Sequence, residues 1–214
     1  MRQPMTKEQR RAHILRVAKA LFQERGYDHI TIADVIKESN VARGTFYLHF
    51  SSLEDLLSCL FDEVVSETWK RIAPILEEVE DVEACTIEVV HAVFRMFDND
   101  DESMISVFFS GGGEAFLRKR EEALYSKLGG LLVQALERRR TKLYGQARPL
   151  DLPKVEWTVA MLISLVANMT HYAANHIAAE DRKAFEDSLI RFVVAGTKEH
   201  LGPLLRESEE IRKQ

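Results

Sequence analysis

Apolar positions recur three and four apart along almost the whole chain, the period of one face of an α-helix. Ile14, Val17, Ala18, Leu21 and Phe22 make the first such stripe. Thr6, with Gln9 three residues on, reads as a capping box at its start, and Gly26 as its stop. A second start follows at Thr31, boxed by Asp34, with Ile32, Val35 and Ile36 as the apolar face. That helix must end near Ser39 and Asn40, because Asn tolerates the left-handed backbone a sharp turn needs. A third short helix is expected over about residues 43–50. Ser51 and Ser52, with Glu54 and Asp55, open a fourth, carried by Leu56, Leu57, Leu60, Phe61, Val64 and Val65. Pro74 should end or kink it, so its expected extent is about 53–73. Further helices are expected at about 83–98, 102–110, 114–142, 154–178 and 182–205. The breaks between them fall at 98–101, 111–113, 145–153 and 179–181. The fold class is therefore all-α.

Composition narrows this picture. The chain has 214 residues, 46% apolar and 29% charged, which suits a globular protein with a real core. Its two cysteines, Cys59 and Cys85, exclude a disulfide framework and a four-cysteine zinc site, and sit in apolar stretches as buried thiols would. The net charge of −5 hides an asymmetry. Residues 1–50 hold nine basic and five acidic side chains, a balance of +4, which leaves −9 for the rest. One end of the chain is suited to a polyanion and the remainder is not. No targeting segment is expected, since Arg10, Arg11, Arg16 and Lys19 interrupt the first apolar stretch. Residues 157–179 carry no charge over 23 positions, yet include Thr158, Ser164, Asn168, Thr170, His171, Asn175 and His176. Hydrocarbon could not satisfy those groups, so a buried helix is expected rather than a membrane span, in a cytoplasmic protein.

The run TIADVIKESNVARGTFYLHF, residues 31–50, places a short amphipathic helix, a three-residue turn (Asn40, Val41, Ala42) and a second short helix in succession. This is the helix-turn-helix layout, whose second helix enters the major groove of DNA. Val41, Phe46 and Phe50 are placed to anchor that helix, leaving Arg43, Gly44, Thr45, Tyr47 and His49 to face outward. Arg43 offers a planar fork for guanine or phosphate. Thr45 and Tyr47 offer hydroxyls, His49 an imidazole N–H, and Gly44 room for close approach. A plain helical hairpin with an aromatic core would carry the same pattern.

The longer run TIADVIKESNVARGTFYLHFSSLEDLL, preceded by ILRVAKALFQERGYDHITI, resembles the DNA-binding domain of the tetracycline-repressor (TetR) family. The likeness covers about residues 10–60. Ala18, Phe22, Gly26, Tyr27, Thr31, Ile32, Gly44, Thr45, Tyr47, His49 and Phe50 all stand where that family's pattern wants them. The resemblance implies an all-α homodimer acting as a transcriptional regulator, usually a repressor, with a small-molecule pocket in a C-terminal domain. It implies DNA contacts at Arg43, Thr45, Tyr47 and His49, with Thr31 near a phosphate. It divides the chain into a DNA-binding domain at 1–52 and a ligand-binding and dimerisation domain at 53–214. Leu53 departs from the Lys common at the start of the fourth helix, and Asn40 from the usual turn Gly. The helix N-terminus at Leu53 can still donate N–H groups to an anion.

Beyond residue 74 only residue types guide the reading. Ile87, Val90, His91 and Phe94 share a helical face, and Phe108, Trp157 and Met161 add to a large aromatic and Met content. His91, Phe94, Arg95, Phe108, Trp157, Met161 and Asn168 are the candidate ligand-pocket residues, although the same side chains also make cores. The helices at about 154–178 and 182–205 are apolar on more than one face, which suits pairing with a second copy into a four-helix bundle. Catalytic and metal signals fail. The glycines at 111–113 lack the Lys-Ser/Thr of a phosphate loop, residues 98–102 only imitate the start of a calcium loop, and His171 and His176 are spaced off one helical face. No cofactor, no metal and no enzyme activity are expected. The expected partners are an operator duplex, a small effector and a second copy of the chain. A regulator worked by protein partners without an inducer is the alternative, and a helical enzyme a more distant one.

Overall fold

The computed structural model describes residues 5–96, 104, 107–109, 111–144 and 152–202, with 143 and 144 by their backbone alone. Among these the architecture is all-α, with no strand. The helices are α1 (Lys7–Arg25), α2 (Ile32–Ser39), α3 (Arg43–Tyr47), α4 (Leu53–Glu78), α5 (Val82–Arg95), α6 (Glu114–Glu121), α7 (Gly129–Tyr144), α8 (Leu152–His176) and α9 (Arg182–His200). Single-turn 3-10 segments lie at Tyr27–His29 and Ala179–Asp181. Met104 and residues 107–109 are helical as well. The break at 98–101, most of the helix expected at 102–110, and the end of the last expected helix fall outside the described residues.

The chain divides into two compact units, Met1–Val64 with Asp100–Glu121, and Val65–Asn99 with Glu122–Gln214. In the first, Ile14, Ala18, Phe22, Val35, Phe46, Phe50, Leu56 and Leu57 are fully buried, so α1, α2, α3 and the start of α4 close on one core. The boundaries follow from local chemistry. The Thr6 and Thr31 capping boxes are both complete. Gly26, at φ 76°, adopts a backbone that L side chains avoid, and its N–H bonds to Phe22 O. The glycine run at 111–113 is the expected break, and each member sits tightly. A Cβ on Gly111 would meet Val107 O at 2.6 Å, Gly112 has φ 82°, and the Gly113 N–H donates to Glu54 Oε1 at 2.9 Å.

Two expectations are corrected. The fourth helix does not stop at Pro74 but runs to Glu78. The proline forfeits one ladder bond, but Ile72 and Leu76 on either side of it are buried. Beyond it the helix's terminal carbonyls are capped from α7: buried Arg139 donates to Leu76 O and Glu80 O, and Lys142 to Glu77 O. The helix expected at 114–142 is not a single α-helix. Glu122–Leu128 forms a wider π-type segment between α6 and α7.

In the second unit Val90 and Phe94 of α5 pack with Ala173 of α8 and with Leu189, Ile190, Val193 and Val194 of α9. No helix of the described residues is long and apolar enough to cross a membrane.

Candidate nucleic-acid interface

The turn between α2 and α3 depends on one backbone choice. Asn40 adopts a left-handed conformation (φ 50°, ψ 45°), and its N–H closes the end of α2 on Ile36 O and Lys37 O. This redirects the chain so that α3 begins three residues later, at Arg43. Ser39 adds to the junction: its Oγ donates to Val35 O at 2.6 Å, and its carbonyl accepts from His13 Nε2 at 3.0 Å. Since a carbonyl only accepts, Nε2 carries the proton, and Nδ1 is free to accept from Arg16 at 2.9 Å. His13 thereby ties α1 to the turn.

On α3 and the turn that follows it, Phe46 and Phe50 point into the core, their rings 5.9 Å apart. Because those two positions face inward, Arg43, Gly44 and Tyr47 are exposed, with Thr45 and His49 half-buried at the margin. Five of the six predicted contacts, Arg43, Gly44, Thr45, Tyr47 and His49, therefore come from one short stretch. The Arg43 guanidinium lies 5.7 Å from the centre of the Tyr47 ring, so the two form one aromatic-cationic patch. Thr31, the sixth, is differently placed. Its hydroxyl donates to Asp34 Oδ2 and its Oγ accepts the Asp34 N–H at 3.2 Å. The bond from the hydroxyl, and then the Thr31 N–H, which donates to Asp34 Oδ2 at 2.9 Å, hold the Asp34 carboxyl below its usual range. With its proton committed there, Thr31 serves as a cap, and the open N–H groups of the first turn of α2 are what remain for a phosphate.

The field at this face is positive. Burial, and then the cations of Lys7, Arg10 and Arg11, hold the His49 imidazole below its ordinary value. Arg11 also spans toward the core, 5.3 Å from the Phe50 ring centre, and donates to Cys59 Sγ at 3.1 Å. Leu48 went unassigned in the sequence. It is 76% exposed between Tyr47 and His49, and an apolar side chain so placed matches the methyl group that thymine presents in the major groove. The only sequence signal was its position inside the second helix of the motif.

The candidate ligand residues do not gather. Phe108 belongs to the first unit, its ring 5.1 Å from Phe61, with its carbonyl taken by Arg120. Phe94 is core. His91 Nδ1 pairs with Glu186 Oε1 at 2.7 Å, joining α5 to α9, and exposed Arg95 turns back to His91 O. Trp157, Met161 and Asn168 lie on the outer stripe of α8, Trp157 being 65% exposed, while Val155, Val159 and Ile163 take the inner face. Among the described residues no group of His, Cys, Asp and Glu side chains is arranged to hold a metal.

Residues 14–59 match the family model for bacterial regulatory proteins of the tetR family. Over 155 residues the chain is 25% identical to the HTH-type transcriptional regulator YvdT of Bacillus subtilis (strain 168), covering 72% of this chain and 77% of that one. The crystal structure of the transcriptional regulator FadR from Bacillus subtilis, in complex with stearoyl-CoA, superposes with a TM-score of 0.67 at 21% identity. The match covers 86% of this chain and 98% of that one. Thermus thermophilus FadR, a TetR-family repressor in complex with lauroyl-CoA, gives a TM-score of 0.64 at 20% identity, over 87% and 94% of the two chains. These structural likenesses establish the shared all-α fold.

Proposed function

Because the chain belongs to the tetR family of bacterial regulatory proteins, whose members govern transcription rather than catalyse reactions, we propose that it is a dimeric repressor that releases its operator on binding a small effector. Residues 1–52 supply the operator-binding part, and residues 53–214 the effector-binding and pairing part. The observation that carries this reading is the split of the second motif helix, Phe46 and Phe50 buried beneath an outward Arg43, Gly44 and Tyr47. Each subunit lays α3 in a major groove, with Leu48 against a thymine methyl, and the two copies address half-sites about 34 Å apart on a palindrome. The effector half is supported by the likeness to FadR structures holding stearoyl-CoA and lauroyl-CoA. An effector shifts such an equilibrium only as far as it prefers the released state. A thousandfold loss of operator affinity needs about 4 kcal/mol of preference. Pairing through α8 and α9 is supported by exposed Trp157, Met161, Tyr172 and Phe192. The same reading places the protein in the cytoplasm with the DNA.

The test is a gel shift on an operator selected from random duplexes. Arg43→Ala and Tyr47→Ala are each expected to weaken binding about 10- to 100-fold, the worth of one lost base or phosphate contact, with melting temperature unchanged. Unchanged affinity in both variants would remove α3 as the reading element.

A further inference from the structure

The first two turns of α1 carry a cluster of cations outside the helix-turn-helix motif. Lys7, Arg10 and Arg11 fall three and four residues apart, on one face of the helix. Arg11 fixes where that face lies. Its guanidinium sits 5.3 Å from the centre of the Phe50 ring and donates to Cys59 Sγ at 3.1 Å, and the Phe50 ring centre lies 6.3 Å from that of His49. Lys7 stands one helical turn before Arg11, about 6 Å along the axis. The cations therefore border the outward side of the second motif helix at its His49 end. Their charges act as those of neighbours: after burial, Lys7, Arg10 and Arg11 depress the His49 imidazole, and His49 in turn acts on Glu8.

Arg11 is held between Phe50 and Cys59, but Lys7 and Arg10 have no acidic partner. Among the described residues no carboxylate forms an ion pair with either. Arg10 donates to the Met5 carbonyl at 3.3 Å, and Lys7 is exposed. Glu8, the acid of the same turn, is occupied at the helix end, where its own N–H and then the Thr6 hydroxyl hold its carboxyl low. Like charges three and four apart on a helix repel one another. The cluster therefore costs a little stability in the free protein and gains when an anion is brought to it.

We propose that Lys7 and Arg10 bind the phosphate backbone of the operator strand that borders the groove occupied by α3. The site deepens the operator-binding half of the function proposed above and rests on it. Both side chains start from α1, outside the reading helix, and a cation on a long flexible stem neutralises a phosphate without reading a base. The contacts add affinity and salt dependence and hold α3 in register, with no base preference of their own.

The test is fluorescence anisotropy of the full chain between about 0.05 and 0.2 M salt, on the selected operator and on a scrambled duplex of equal length. Each lost phosphate contact is expected to make the slope of log affinity against log salt shallower by about 0.9, and to weaken binding about eightfold near 0.1 M salt. The double variant Lys7→Gln, Arg10→Gln should therefore lose about 1.8 of slope per subunit on both duplexes. Its melting temperature and its ratio of operator to scrambled affinity should stay those of wild type. The variant Lys7→Arg, Arg10→Lys keeps both charges and should keep the wild-type slope. The proposal is overturned if the Gln variant keeps the full slope. It is overturned equally by a loss confined to the operator, which would make the pair base readers. Equal losses in the Gln variant and the charge-keeping variant would overturn it too, since packing rather than charge would then be responsible. A wild type that shows no preference for any operator, yet loses slope in the Gln variant, would sink the repressor reading and keep this phosphate site. A chain that binds neither duplex overturns both.

Discussion

At the scale of single residues, His49 is the group whose charge DNA would change. Its imidazole is held below the ordinary value, about 6.5, by burial and by Lys7, Arg10 and Arg11. At neutral pH it is therefore neutral in the free protein. A phosphate beside it would favour the protonated form and raise its value in the complex. Between the two values, binding takes up a proton, so affinity must rise as pH falls. Operator affinity is expected to increase several-fold from pH 7.5 to 5.5 and to lose most of that dependence in His49→Gln. Fluorescence anisotropy at fixed salt checks it, and a flat profile in the wild type would place His49 away from phosphate. The sign for folding is the opposite. A depressed histidine binds fewer protons folded than unfolded, so His49 withdraws stability as pH drops through 6.5 toward its folded value.

At the scale of elements, the turn between α2 and α3 rests on the left-handed Asn40. Ala lacks the side-chain hydrogen bonding that eases this conformation for Asn, and Gly has no Cβ to hinder it. Asn40→Ala should therefore cost about 1 kcal/mol in urea unfolding, while Asn40→Gly should match or slightly exceed the wild type. Equal stability of the Ala variant would mean that the turn does not govern the motif. This turn, like the Thr6 and Thr31 boxes, was legible in the sequence because its determinants lie within four residues of one another. The passage of α4 through Pro74 was not. What sustains it is Arg139, more than sixty residues further on, reaching the terminal carbonyls, and no local pattern announces such a contact. The outward placement of Trp157 and Met161 was hidden for a related reason. Residues 157–179 carry no charge and are apolar on more than one face, so their helical period does not say which apolar stripe is covered, and packing decides that Val155 and Val159 turn inward while Trp157 and Met161 do not. The outward side of the second motif helix could be read because Phe46 and Phe50 mark its buried side by contrast.

At the scale of the whole molecule, the proposed pairing would make that outer stripe part of operator binding. Trp157, Met161 and Tyr172 on α8 and Phe192 on α9 expose large apolar side chains, Phe192 to 67%. Each fully covered would contribute about 1.5–3 kcal/mol, and in the pairing proposed above a second copy would cover the stripe with itself across a two-fold axis. Pairing makes the second half-site contact intramolecular, at an effective concentration that raises affinity by about 10²–10⁴ without any new contact to DNA. The double variant Trp157→Glu, Phe192→Glu sets four like charges into that interface. It is expected to be monomeric by analytical ultracentrifugation with its helical circular dichroism intact. Its operator affinity should fall by about the same 10²–10⁴. The salt dependence separates this cause from damage to the DNA-binding face. One α3 in one half-site neutralises half the phosphates, so the slope of log affinity against log salt should halve. Damage to α3 within a surviving dimer would lower affinity while leaving the sedimentation coefficient that of the pair. A variant that stays dimeric, or a monomer that keeps the full slope, would show that the two copies meet through some other face.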